Sequence, residues 1–248
     1  MKRQKIRRAL LLISFLLFPV TIWYFSPYLI IQAASEHIMN GSFIVFCTMF
    51  LASIFLGRAW CGYLCPAGGL QECAAMANDR PAKQGWRNNI KYVIWVIWIA
   101  AIVITFVLGK NDVTIDFLYM TDHGISVTEI YNYIIYYGVI LLLVAPALIH
   151  GKRAACHYIC WMAPFMVIGS KIGQILHLPQ LHMQADRSKC ISCKKCSKAC
   201  PMGLAVDEMV TKNMNGKCSE CIQCGACADV CPKGVIRYSF KNMTADKK

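Results

Sequence analysis

Charge is scarce in this chain. Of its 248 residues only 16% are Asp, Glu, Lys or Arg, against ~25% in soluble globular domains, and 57% are apolar. That shortage excludes a disordered chain, a fibrous protein and an ordinary cytosolic enzyme. Acidic residues are the rarest, 13 against 26 Lys and Arg, for a formal net charge of +13. The basic excess sorts by position between apolar segments, so it is not a nucleic-acid footprint, and no nucleic-acid partner is expected. No Cys-x-x-Cys-His occurs, which excludes a c-type haem attachment. No Gly-rich nucleotide fingerprint occurs either, which argues against a bound NAD or FAD.

What the chain has in excess is apolar sequence in blocks. Four runs stand out, at about 9–24, 42–56, 92–108 and 133–149. Each is near the ~17–25 residues that a helix needs to cross the hydrocarbon core, where backbone groups must be satisfied internally. None has a His in its interior, so no transmembrane haem ligand marks an electron path. Basic residues flank the runs asymmetrically. Lys2, Arg3, Lys5, Arg7 and Arg8 precede the first; Arg58, Arg80, Lys83, Arg87 and Lys91 lie between the second and third; Lys152 and Arg153 follow the fourth. The segment between the first two runs has Glu36 and no Lys or Arg, and the one between the last two sets Lys110 against Asp112, Asp116, Asp122 and Glu129. The positive-inside rule then places both termini in the cytoplasm of a multi-pass protein of a prokaryotic inner membrane. A cleaved signal peptide ending near Gln32-Ala33-Ala34 is the rival reading, but its apolar stretch exceeds the usual ~7–15 residues. Residues 27–39 read as an interfacial or re-entrant piece on the outer side. Residues 161–178 read as a segment lying in the cytoplasmic interface, with a short fifth span as the alternative.

Fifteen cysteines are the second excess. Beyond a polar linker at 179–186 the apolar runs stop and Lys, Cys and Ser dominate. Cys190-x2-Cys193-x2-Cys196-x3-Cys200-Pro201 is followed by a second copy, Cys221-x2-Cys224-x2-Cys227-x3-Cys231-Pro232. Two-residue intervals let successive thiolates take three corners of one cluster, and the proline turns the chain away without offering a donor. Zinc knuckles share the x2 spacing, but zinc ligands come in pairs, often with His, and no His follows His182. The tail resembles the bacterial two-cluster ferredoxins. That resemblance implies that the fourth cysteine of each run ligates the other cluster. One [4Fe–4S] cluster would take Cys190, Cys193, Cys196 and Cys231, and the second Cys221, Cys224, Cys227 and Cys200. Cys218 offers an alternative register with Cys221 and Cys224, or is a spare cysteine beside the cluster.

A repeat lies earlier. Arg58-Ala59-Trp60-Cys61-Gly62-Tyr63-Leu64-Cys65 aligns with Arg153-Ala154-Ala155-Cys156-His157-Tyr158-Ile159-Cys160. Each copy follows an even-numbered apolar run, so the membrane part reads as two two-helix halves. Positions four apart share a helix face, so each pair would aim two sulfurs at one point near the cytoplasmic surface. Cys61, Cys65, Cys156 and Cys160 are therefore candidates for an interfacial metal or redox site, with buried structural cysteines as the alternative. Cys47 and Cys73 read as core or incidental, and His150 and His157 as structural.

With these motifs the chain resembles the NapH-type membrane ferredoxins, four-span iron–sulfur proteins of nitrate-reductase electron transfer, over about residues 58–237. The resemblance implies electron relay between cytoplasmic or quinol donors and a membrane or periplasmic acceptor. One departure stands out: Trp161 follows Cys160 where the first motif has Pro66, and Pro164 comes three residues later. Neither a large periplasmic flavin-binding domain nor a C-terminal immunoglobulin-like domain is seen, which favours the compact type.

The expected architecture is a mainly α membrane protein: four transmembrane helices as two two-helix repeats (1–178), a linker (179–186) and an α+β 2[4Fe–4S] ferredoxin-like domain (187–248). The expected role is that of an electron-transfer subunit of an oxidoreductase system rather than a free-standing enzyme. A metal-ion or thiol reductase acting at the membrane-face cysteines, and a redox-sensing or assembly factor, are the alternatives. Lys189, Lys194, Lys195, Lys198, Lys212 and Lys217 near the clusters would suit an acidic flavodoxin- or ferredoxin-like partner, or anionic lipid head groups.

Overall fold

The structure, a computed structural model, describes residues 2–109, 112–212 and 218–242. Lys110 and Lys217, used in the charge reading above, lie outside them. The chain opens with α1 (Lys2–Leu16), α2 (Phe18–Thr21) and a 3-10 turn, Ile22–Phe25. Pro19 cannot donate the next helical hydrogen bond, and the pair bends by 61° at this break. Then come α3 (Pro27–Ser35), the short strand β1 (Ile38–Asn40) and α4 (Gly41–Leu56). Asn40 caps α4 by accepting from the Phe43 N–H at 2.9 Å. Two short helices follow, α5 (Ala59–Tyr63) and α6 (Pro66–Ala74), and then α7 (Ile90–Leu108), β2 (Thr114–Asp116) and α8 (Ile130–His150). The second half ends with α9 (Ala154–Tyr158) and α10 (Ala163–Ile175). The remainder is β3 (Gln180–Ala185), α11 (Lys195–Lys198), α12 (Val206–Thr211), α13 (Ala226–Asp229) and β4 (Ile236–Lys241). β1 and β2 pair in parallel; β3 and β4 pair antiparallel from Gln180 opposite Lys241 to Ala185 opposite Ile236.

Two helical stretches are long and apolar enough to cross a membrane, Trp86–Leu108 with 23 residues and Ile130–His150 with 21. Only 11% of each apolar window is buried, so most of their side chains face outward. The other two expected spans come out differently. The first is the bent α1–α2 pair, and the second, α4, has 16 residues. Four straight spans are therefore not what the chain builds.

The repeat read from the sequence is a repeat of structure. In each half a long helix ends at a glycine of positive φ, Gly57 at 56° and Gly151 at 99°. Only glycine adopts that backbone without strain. The chain then doubles back through a five-residue helix, turns, and returns as α6 or α10. The halves are interlocked: α4 packs on α10, and α6 on α8. Glycine lets α6 close on α1 and α10 on α4. A Cβ on Gly69 would strike the Leu11 carbonyl of α1, and one on Gly173 the Ile54 carbonyl of α4.

This packing adds detail in two places. Of residues 161–178, Ala163–Ile175 form α10, which runs alongside α4 as the return leg of the hairpin, with Gly169 against Phe50 and Gly173 against Ile54. The stretch read as a linker is β3, whose Gln180 is buried and donates to the Ser170 carbonyl of α10 at 2.8 Å.

Candidate functional site

The C-terminal cysteines fold around two cavities. Cys190, Cys193, Cys196 and Cys231 line one; Cys200, Cys221, Cys224 and Cys227 line the other, with Cys218 also on its wall. The fourth cysteine of each run thus faces the first three of the other run, as the crossed ligand sets require. The loops curl by the same backbone device. Ser192 and Lys194 in the first run and Gln223 and Gly225 in the second, at matching offsets, all have positive φ. The cysteines of the second cavity are the more buried, and Met202 and Leu204 are among its walls. Burial pushes the Cys200 thiol up to about 11 and Cys227 up to about 12. Such sulfurs become thiolates when a cationic centre replaces their protons. The Val235 N–H points at Cys231 Sγ at 3.3 Å, the hydrogen bonding that a cluster thiolate accepts. Among the described residues no three His, Cys, Asp or Glu groups converge tightly enough for one metal ion. A polynuclear cluster, whose corners hold its ligands apart, does not need that convergence. The donor sets fit two iron–sulfur clusters.

This part is docked on the helices through its second cavity. Gly62 on α5 lies against the Ile222 carbonyl with no room for a Cβ. Its repeat mate His157 on α9 donates from Nε2 to the Met202 carbonyl at 2.9 Å, two residues past Cys200. Tyr63 reaches the Cys224 carbonyl at 3.4 Å. From α1, Arg3 pairs with Asp229 at 2.6 Å and Gln4 donates to the Cys224 carbonyl at 2.9 Å. The first cavity lies on the far side, where Cys193 is exposed beside Lys194 and Lys195.

Both halves also contribute to each of two buried ion triads. Glu72 on α6 takes Arg7 at 2.7 and 2.9 Å and Arg153 at 2.6 Å. Glu220, between Cys218 and Cys221, takes Arg58 at 3.2 Å and also Lys91. Burial alone would raise the Glu220 carboxyl; His157, Arg58 and Lys91 together hold it well below the usual carboxylate range. Sequence reasoning missed Glu72, Glu220, Lys91 and Gln71 as site residues. The available signal was rarity: a carboxylate on the basic side of an acid-poor chain, close in sequence to a cysteine.

The four earlier cysteines do come together. Cys61, Cys65, Cys156 and Cys160 line a single cavity of about 250 Å³, otherwise walled mainly by apolar side chains including Phe18, Ile22, Leu143 and Trp161. Two details differ from expectation. The pairs do not share a helix face, because Cys65 and Cys160 lie beyond the ends of α5 and α9. Cys65 is instead the residue before Pro66, which opens α6. Pro164 does the same in the first turn of α10, so the second half makes a turn longer by a few residues and Trp161 fills it, donating to the Phe25 carbonyl at 3.3 Å. The site also lies deeper than the helix ends. Ser14 holds the Leu64 carbonyl at 2.6 Å, about 18 Å along α1 from Lys2. Cys47 and Cys73 are not on the cavity wall. Gln71, fully buried, donates to Cys156 Sγ at 3.0 Å. A cavity walled mainly by apolar side chains does not favour thiol exchange with a polar soluble substrate.

Comparison with known proteins agrees with this partition. A 4Fe-4S binding domain model matches twice, at residues 41–87 and 131–179, and a 4Fe-4S dicluster domain model matches 182–232. The two matches of one model fall on the two structural halves. YccM of Escherichia coli (strain K12), provisionally named an electron transport protein, is 27% identical over 198 residues, 72% of this chain and 50% of its own. The chain thus spans about half the length of that relative. An uncharacterized protein, MJ0750 of Methanocaldococcus jannaschii, is 25% identical over 174 residues, 67% of this chain and 68% of its own. No solved structure matches. The 4Fe-4S domain matches and the likeness to YccM support an iron–sulfur electron-transfer family for this chain.

Proposed function

We propose that the chain is a membrane-anchored electron-transfer protein with two [4Fe–4S] clusters in its C-terminal part and a third metal centre at Cys61, Cys65, Cys156 and Cys160. Cys190, Cys193, Cys196 and Cys231 would hold the outer cluster; Cys200, Cys221, Cys224 and Cys227 would hold the inner one. When bound, such clusters supply one-electron chemistry whose potential depends on charge, burial and hydrogen bonds to sulfur. The chain's own residues bind them, exclude water and fix their order. The observation that carries this reading is the contact of Gly62 with Ile222. It presses the loop of the inner cavity onto the helix that bears Cys61, which supports a relay from the C-terminal clusters to the four-cysteine site.

The reading extends to topology and partners. The α1–α2 pair, α4, α7 and α8 would sit in the bilayer with both termini cytoplasmic, and the acidic segments would face outward. Exposed lysines around Cys193 suit an acidic protein partner on the cytoplasmic side. The apolar cavity beside the four cysteines suits a quinol or a membrane or periplasmic protein as the other partner.

The test is iron and acid-labile sulfide per chain on anaerobically purified protein, for the native sequence and for a variant with Cys61, Cys65, Cys156 and Cys160 all changed to Ser. The expected result is about eight irons in the variant and an excess over eight in the native chain. Equal counts would confine the clusters to the tail. Zinc in place of iron throughout would overturn the electron-transfer reading.

A further inference from the structure

The two ion triads are related by the same pseudo-symmetry as the cysteines. Arg7 and Lys91 come from the starts of the helices that open each half, and Arg58 and Arg153 occupy the same place in the two motifs. Each triad crosses between halves: Arg7 of the first joins Arg153 of the second on Glu72, and Lys91 of the second joins Arg58 of the first on Glu220. The carboxylates break the symmetry. The helix after Cys65 carries Glu72; the helix after Cys160, Ala163–Ile175, carries no carboxylate. The C-terminal domain supplies the missing carboxylate as Glu220. Counting Arg, Lys and Glu alone, two cations and one carboxylate leave each triad at +1 and the pair at +2.

That charge is buried and within electrostatic reach of the four cysteines and also of Cys218 and Cys224 on the inner cavity. Arg58, Arg153 and Lys91 have side-chain exposures of 3%, 1% and 0%. Arg153 donates to the Cys61 carbonyl at 2.8 Å. Arg58 is within electrostatic reach of Cys61, Cys156 and Cys160, and Arg153 of Cys156 and Cys65. Arg58 Nε and Nη2 and Arg153 Nε, all buried, have no hydrogen-bond partner. A buried net charge of +2 is costly without a counter-charge, and four neutral thiols provide none. Four thiolates on a dicationic core carry −2.

We propose that the four-cysteine cavity is built for a centre of net charge −2, four thiolates on a +2 core, and that Arg58 and Arg153 are the positioning residues that balance it. Because Glu220 completes one triad, the charge at this centre is set jointly by the membrane part and the docked C-terminal domain. The inference rests on the reading of the four cysteines as a metal centre. A [4Fe–4S]²⁺, a [2Fe–2S]²⁺ and a Zn²⁺ core all meet the charge, although the sulfurs do not converge as a single Zn²⁺ would need, and metal analysis distinguishes them.

The test uses the full chain and opposite substitutions within one triad. The signal followed is the one lost when all four cysteines become Ser, and its midpoint potential is titrated by electron paramagnetic resonance. R153Q takes its triad to 0 and is expected to shift the midpoint negative and speed iron loss to a chelator. E72Q takes the same triad to +2 and is expected to shift it positive. E72Q with R153Q restores +1 and returns the midpoint toward the native value. If one triad does not tolerate substitution, R58Q against E220Q poses the same question. Iron at the site with shifts in one direction, or none, overturns the charge balance and leaves the metal reading standing. If the metal is zinc, chelator competition replaces the potential: faster loss from R153Q and slower from E72Q sustains the charge balance while the redox role falls. No metal dependent on the four cysteines overturns both.

Discussion

At the scale of single residues, the contact between the two parts of the chain rests on a few positions with little tolerance. Gly62 abuts a backbone carbonyl, which cannot swing aside as a side chain would. Gly62→Ala is expected to lift the 221–225 loop, seen as faster loss of inner-cluster iron to a chelator, whereas Ala59→Ser on the same helix leaves that rate unchanged. Glu220 is the second such position. Its removal strands Arg58 and Lys91 without their carboxylate, and an uncompensated buried charge costs ~3–5 kcal/mol. Glu220→Ala should therefore lower the midpoint of thermal unfolding in detergent well below that of Glu208→Ala. Glu208 makes an exposed pair with Lys212 that contributes ~0–1 kcal/mol.

At the scale of elements, the decisive feature is the interlocked hairpin. Neither half can place its cysteines alone, because α6 is held by α1 and α8 while α10 is held by α4. Glycine at the crossing points permits this, and a bulky side chain there must push two helices apart. Gly173→Val is expected to destabilise by about 1–3 kcal/mol or more, read as a fall in unfolding midpoint, and to perturb the four-cysteine site before the C-terminal clusters. The first helix has a role that its composition hides. Its basic residues read as topology signals, yet Arg3 and Gln4 grip Asp229 and Cys224. Changing both to Ala should increase proteolysis within 187–241 while leaving α7 and α8 protected, since each hydrogen bond contributes on the order of 1 kcal/mol.

At the scale of the whole molecule, two parts with different sources of stability are joined. The helical part is held by apolar packing, and the described residues of the C-terminal part have short helices, one two-stranded sheet and nine cysteines lining two cavities. A unit of that kind depends on its metal for folding free energy. Iron removal is expected to bleach the visible absorption and open 187–241 to protease, while most of the far-ultraviolet helical signal survives.

The linear sequence by itself marked the cysteines that come together. Cysteine spacing and the two Cys-Pro endings single out the residues that line the two C-terminal cavities, and the Arg-Ala-x-Cys repeat singles out those of the third, because each motif is local in the chain. Apolar length located α7 and α8 to within a few residues, since crossing a bilayer is a one-dimensional demand. What only the tertiary structure decided is everything that depends on which segments meet. The α1–α2 bend and the shortness of α4, the passage of α10 along α4, and the strand where a linker was expected all follow from packing between distant elements. So does the pairing of Glu72 with Arg153 and of Glu220 with Arg58, 81 and 162 residues apart. A buried charge seeks whatever partner the fold brings within reach, and no interval along the chain encodes that distance.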